Sequence, residues 1–189
     1  MRLRMLHKLN AIPQVSLAEG YTIRPYQSGD EVAWVEICKN GLLKETAGLE
    51  KWEKNMLGVA NLVPERDVFF ACDPEGNPVA TLSAYQLTED RGNAHMLACK
   101  VEARGHGLGV SLMCHILHKM KRELPEGAML GLQTEDQLLA AIKGYLRLGY
   151  LPVNCDTDMV ERWTVICNQL NFHGVTMVDP DGNDLDIIL

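Results

Sequence analysis

Long apolar runs are missing from this sequence: none approaches the roughly 20 residues that a helix needs to cross a bilayer, so no membrane span is expected. The opening MRLRMLHKLNAIPQ is basic, but Lys, His and Asn interrupt its apolar residues and no small-residue cleavage site follows, which argues against a secretory signal. The six cysteines, at 38, 72, 99, 114, 155 and 167, form no CxxC pair. Most lie in apolar segments, where a thiol behaves as a small hydrophobe, and reduced core cysteines place the chain in the cytoplasm. Positive charge is also in deficit. With 18 Lys and Arg against 25 Asp and Glu the net charge is −7, whereas nucleic-acid binding needs clustered cations. Repeats, low-complexity tracts and linkers are absent, and 189 residues suit one well-filled core better than two large domains.

What is present reads as an α+β chain. YTIRPY (21–26) alternates as a half-buried strand does, and SGDEVAWVEICKNGLL follows as a helix with Ser28 as its expected N-cap. A second, weaker helix is expected over 48–60. DVFFACDPEGNPVATLSAYQL reads as two strands joined by a DPEGN turn, and NAHMLACKV as a third, which makes an antiparallel meander. Leu108, Leu112, Ile116 and Met120 mark a four-turn helix, AMLGLQT a buried strand, and EDQLLAAIKGYLRLGY a helix with Leu138, Ile142, Tyr145 and Leu148 on one face and Gly149 at its left-handed cap. DMVERWTVICNQL (158–170) is helical in pattern, and VTMVDPDGNDLDIIL reads as a hairpin around DPDG. The expected organisation is an N-terminal arm over 1–17, a core over 18–155 and a C-terminal helix and strand over 156–189 that complete or extend the same domain.

The stretch CKVEARGHGLGVSLMCH places Gly105, Gly107 and Gly109 at alternate positions behind Arg104 and directly before a helix. Glycine lets a ligand approach the main chain, and the unpaired N–H groups of a helix start favour an anion, most naturally a phosphate. A packing turn is the other reading of the same glycines. Two phosphate motifs fail on spacing. A P-loop needs GxxxxGK[ST], and no lysine follows; a dinucleotide fingerprint needs GxGxxG in the first βαβ unit, whereas GxGxG here follows four strands.

RGHGLG resembles the Arg/Gln-x-x-Gly-x-Gly/Ala pyrophosphate loop of the GNAT superfamily of N-acetyltransferases, with Arg104, Gly107 and Gly109 in the motif positions. LACKVEA is similar to the splayed fourth strand of that fold, and AAIKGYLRLGY to its Ala-Ile-x-x-Tyr-x-x-Leu-Gly-Phe/Tyr helix. The resemblance covers about residues 20–155. EGYTIRPYQSGDEVAWVEI and the late RW further resemble a bacterial, mycothiol-synthase-like branch of unknown substrate. Two departures stand out: Val101 replaces the proline usual three residues before the loop arginine, and Leu138 an asparagine often seen before the Ala-Ile pair.

The resemblance implies a GNAT fold with a mixed, mostly antiparallel central sheet splayed between strands 4 and 5, flanked by helices. It implies acetyl-CoA as co-substrate, its pyrophosphate on the backbone of Arg104, Gly105, His106, Gly107, Leu108 and Gly109, and its pantetheine along Leu97, Cys99 and Val101. Tyr145 falls where such enzymes protonate the CoA sulfur, although its place on an apolar helix face also suits a core tyrosine. His95 is a candidate base, expected by strand alternation to share a face with Leu97 and Cys99. His115 and His118 have no further ligands at metal spacing, and no metal is expected. Trp34, Trp52 and Trp163 fall in regions that build the acceptor pocket of this fold, but each is better read as packing a helix onto the core. The expected reaction is direct attack by a primary amine of a small molecule or peptide on acetyl-CoA, in a monomer or homodimer without nucleic-acid or membrane partners. The alternatives are a module of the same fold that binds acyl-CoA or proteins without catalysis, and a transferase of longer acyl groups.

Overall fold

The computed structural model describes residues 2–189. The elements run β1 (Leu3–His7), β2 (Thr22–Pro25), α1 (Asp30–Cys38), α2 (Glu50–Trp52) passing into a π turn (Glu53–Leu57), α3 (Pro64–Asp67), β3 (Val68–Cys72), β4 (Pro78–Thr88) and β5 (Arg91–Cys99). After a 3₁₀ turn at Val101–Ala103 come α4 (Leu108–Glu123), β6 (Met129–Thr134), α5 (Leu139–Arg147), β7 (Leu151–Pro152), α6 (Met159–Leu170), β8 (Thr176–Val178) and β9 (Asp184–Ile188). Among the described residues, seven strands form one sheet in the order β2-β3-β4-β5-β6-β1-β7, and β8 and β9 a separate hairpin. Only the β5–β6 pair within that sheet is parallel, so the sheet is mixed and mostly antiparallel.

The segment expected as an N-terminal arm is not peripheral. Leu3, Met5 and Leu6 are buried, and β1 sits inside the sheet between β6 and β7, antiparallel to both. Alternation along β1 turns Arg4 out to water while its neighbours Leu3 and Met5 face the core. His7 is buried at the strand's end, where Nε2 donates to the Leu148 carbonyl at 2.9 Å and Nδ1 accepts the Leu9 N–H at 2.9 Å.

The sheet separates two cores. Helix α4 packs Leu108, Leu112, Ile116 and Met120, all nearly inaccessible, onto β4 and β5 together with α5 and α6. The opposite face carries a smaller core in which Trp34 of α1 meets Trp52 edge-on at 5.5 Å and Tyr26 stacks on Trp52 at 5.0 Å. Trp34, Trp52 and Trp163 are therefore core residues and line neither cavity described below.

The cap of α1 lies one residue later than expected. Gly29 is the N-cap in a left-handed conformation, with no side-chain cap hydrogen bond, and the carboxylates of the first turn bind N–H groups of the turn before the helix. Asp30 accepts the Gln27 N–H at 2.7 Å while paired with Arg24, and Glu31 accepts the Gly29 N–H at 2.9 Å. The second helix, expected over 48–60, is one short turn of α2 passing into the π turn and ends at Leu57; α3, begun by Pro64, is a separate turn beyond it.

Candidate active site

Strand β5 positions the site through two irregularities. It pairs with β6 only over Arg91–Asn93, opposite Met129–Gly131, so from Ala94 onward the edge facing β6 is open. It also carries a bulge: Ala98 faces Thr81 and His95 faces Ser83, leaving Met96 and Leu97 opposite Leu82 alone, with Met96 at φ +59°. The extra residue resets the alternation. Leu97 and Cys99 pack toward α4, whereas His95 lies on the other face beside Tyr85, so the expectation that these three share a face is incorrect.

The glycine turn links this strand to α4. Gly105 (φ +89°) and Gly107 (φ +70°) take left-handed backbone angles, and a Cβ built on either would meet no atom within 4 Å. Those angles, rather than close packing, demand glycine, and they leave open space above the backbone. Gly107 caps α4 without a side-chain hydrogen bond, and no carboxylate lies in the first helical turn. The N–H groups of Leu108, Gly109 and Val110 therefore have no carbonyl one turn back, and the positive end of a helix of 16 residues is exposed. The chain and charge distribution fit a pyrophosphate there, with the open β5 edge beside it for an extended arm.

A cavity of about 340 Å³ runs along this edge. Of the residues expected to hold the cofactor, Leu97, Cys99, Arg104, Gly105, Gly107, Leu108 and Gly109 line it. Val101 and His106 do not. Val101 lies in the 3₁₀ turn with its N–H given to Asn40 Oδ1 at 3.2 Å, and the His106 ring turns back onto the Ala103 carbonyl at 3.2 Å and toward Tyr21. Arg104 is exposed and donates to the Asn40 carbonyl at 2.8 Å. Asn40, which also donates to the carbonyls of Glu36 and Ile37, thus ties the end of α1 to the glycine turn.

A second cavity of about 550 Å³ opens on the far side of the splay, with Asn55, Asn93, His95, Thr134 and Glu135 in its wall. Gly41, Leu42, Leu97, Leu138 and Tyr145 line both cavities and mark where they meet. The splay opens the sheet from face to face, which is how His95 reaches the same space as Leu97 despite the bulge. Tyr145 is buried apart from its contact with these cavities, and burial pushes its phenol up to about 12, so it keeps its proton at neutral pH. Burial lowers the pKa of His95, against the opposing effect of its bond to Asn55, and so favours the neutral ring. Burial raises the Cys99 thiol, which keeps it protonated and a poor nucleophile. Among the described residues no group of three or more His, Cys, Asp or Glu is placed to hold a metal.

Residues 30–150 match the model of the acetyltransferase (GNAT) family. The chain belongs to that family. No curated protein sequence matches it. Among solved structures, a GCN5-related N-acetyltransferase from Sphaerobacter thermophilus is similar, with TM-score 0.65 and 20% identity over 80% of this chain and 48% of that one. The present chain thus spans about half the length of that relative. The ribosomal-protein-S18-alanine N-acetyltransferase of Escherichia coli gives TM-score 0.55 at 20% identity over 68% of this chain and 76% of that one. The NatC complex bound to Gag peptide and CoA gives TM-score 0.53 at 22% identity over 68% and 83%. At these identities the structures share the fold with this GNAT chain.

Several wall residues of this GNAT site escaped the sequence reading. Gly144 is one: a Cβ there would approach Val110 Cγ2 to 3.1 Å, so it lets α4 and α5 close together beside the cavity. A glycine inside a helix costs about 1 kcal/mol against alanine, and that cost was the available signal. Asn40 and Gly41 fall inside the segment read as a helix, where the Asn-Gly pair was the available turn signal, and nothing local to Asn55 indicated its contact with His95.

Proposed function

We propose that this protein is an N-acetyltransferase that moves an acetyl group from acetyl-CoA to a primary amine of a small molecule or peptide within a ternary complex. The observation that carries the reading is the junction of the two cavities at Leu97, Leu138 and Tyr145, one leading back to the glycine turn and the other out past His95. Acetyl-CoA, when bound, supplies an acyl carbon activated as a thioester.

The chain's own groups divide the remaining work. The N–H groups at the start of α4 and around Gly105 and Gly107 hold the diphosphate, and the open edge of β5 pairs with the amide-bearing arm by strand addition. This holds the acyl carbon beside the amine and lowers the entropic part of the barrier. His95 takes the proton that the amine must lose, directly or through one water. The amine nitrogen bonds to the acyl carbon, the C–S bond breaks with its electron pair on sulfur, and the Tyr145 hydroxyl gives that sulfur a proton. With its phenol held at about 12, Tyr145 is a weak acid; a thiolate in the same apolar junction is also poorly solvated and therefore more basic, which offsets that shift and leaves the transfer only modestly uphill.

The test is a calorimetric titration with CoA and acetyl-CoA, followed by an amine screen that reads thiol release, for the natural protein and Tyr145→Phe. Tyr145→Phe is expected to bind CoA unchanged and to lose turnover by about a hundredfold or more. Binding without turnover on any amine, unchanged in Tyr145→Phe, would favour the non-catalytic CoA-binding module; no binding would remove both readings.

A further inference from the structure

The π turn at Glu53–Leu57 stands out because it costs helix geometry without building core beyond Met56. It closes through the Gly58 N–H on the Glu53 carbonyl at 2.7 Å, and the next N–H, of Val59, goes to Met56 at 3.3 Å. The Asn55 carbonyl is thereby left without a helical N–H. Glycine is needed for this closure, since a Cβ at Gly58 would come within 2.8 Å of the Lys54 carbonyl oxygen. The Asn55 side chain braces the turn by donating to the Lys51 carbonyl at 2.7 Å. The freed Asn55 carbonyl meets His95 Nε2 at 3.1 Å across the cavity wall.

We propose that this π turn is a positioning element for the proton-removal step: it presents the Asn55 carbonyl to His95, fixing the ring as the Nε2–H tautomer with Nδ1 as its free acceptor in the acceptor cavity. The inference rests on the proposed function in taking His95 as the group that receives the amine proton. A carbonyl oxygen can only accept, so Nε2 must carry the hydrogen, and a neutral ring then holds its lone pair on Nδ1. Among the described residues Nδ1 has no partner, while the His95 backbone is held by Ser83 Oγ at 2.7 Å and the ring by the edge of Tyr85. The groups around it are Tyr85 from β4, Arg2 ahead of β1, Glu135 after β6 and Tyr145 from α5. Burial and the Arg2 charge oppose protonation of the ring, so Nδ1 is vacant at neutral pH and can take one proton as the amine nitrogen bonds to the acyl carbon. The arrangement repeats the logic of base and orienter with a main-chain carbonyl as orienter.

Nitrogen-15 NMR of the full chain tests this without any substrate, using His95→Gln to assign the ring signals. The expected result is a neutral Nε2–H tautomer at pH 7 that titrates below the ordinary histidine range; an Nδ1–H tautomer, or a ring already charged at pH 7, would overturn the proposal. In Gly58→Ala the Lys54 carbonyl is displaced and the turn rearranges, so the tautomer should become mixed and the acid limb of kcat/KM should move toward pH 6.5. A folded Gly58→Ala with the natural tautomer and profile would also overturn it. If Gly58→Ala fails to fold, the tautomer of the natural protein still decides. The outcomes separate from those of the proposed function: absent turnover on every amine rejects the latter, whereas the tautomer rejects or supports the former.

Discussion

Replacing Gly107 separates the backbone and electrostatic contributions of the glycine turn. At φ +70° any L-residue other than Asn or Asp costs about 1–2 kcal/mol of strain, and because a Cβ there meets nothing within 4 Å, no clash adds to it. Gly107→Gln and Gly107→Glu should therefore lose similar folding stability in urea melts. Their effects on CoA should differ. A carboxylate about 4 Å from one negative charge, at an effective dielectric of 20, costs about 4 kcal/mol, and screening at this exposed turn leaves a fraction of that. We expect Gly107→Glu to bind CoA at least about tenfold more weakly than Gly107→Gln by calorimetry, a gap of about 1.4 kcal/mol, narrowing as salt is raised. Equal affinities for the two variants at low salt would refute the claim that the turn reads negative charge through the open end of α4.

Four further outcomes follow from particular contacts. Asn40→Ala removes the acceptor for the Val101 N–H and the brace on α1, so KM for acetyl-CoA should rise about fivefold, equivalent to about 1 kcal/mol, with kcat little changed in steady-state assays. The ion pair of Lys119 with Asp67 is buried at both ends, Nζ to Oδ1 3.2 Å; Lys119→Met should cost about 3 kcal/mol in urea melts, with Arg66 and the Val63 N–H limiting the loss. Burial pushes Asp67 up, but Arg66, the Val63 N–H and Lys119 together bring it below its ordinary 3.8, so the stability it contributes is present above about pH 4 and is lost as pH falls through the lowered value. His7 is driven below 6.5 chiefly by burial, against the opposing bond to the Leu148 carbonyl; its contribution is present above pH 6.5 and declines as pH falls below it, so the urea midpoint should drop between pH 7 and 5, and less so in His7→Gln.

Much of this protein was legible in the sequence because the information is local. The apolar period of α4, the left-handed cap at Gly149, the DPEGN turn and the meander all depend on neighbours within one or two turns of chain, and each is found where its residues placed it. The glycine turn and the Tyr145 helix also carried the family assignment, since a positive φ and a helix start are properties of a short segment. What tertiary structure alone decided involves partners distant in the chain. Polar residues around β1 hid a strand that only β6 and β7, more than 120 residues away, draw into the sheet. Ser28 is not the cap of α1: Arg24, on a neighbouring strand, holds Asp30 against the turn before the helix, and the left-handed Gly29 takes the cap position. The bulge at Met96 reversed the face of His95, since a single extra residue in one strand moves every later side chain by half a period. The candidate site follows the same division: the sequence determined its glycine turn and its tyrosine, while the splay of β5 from β6 and the π turn at Asn55 decided which groups meet there.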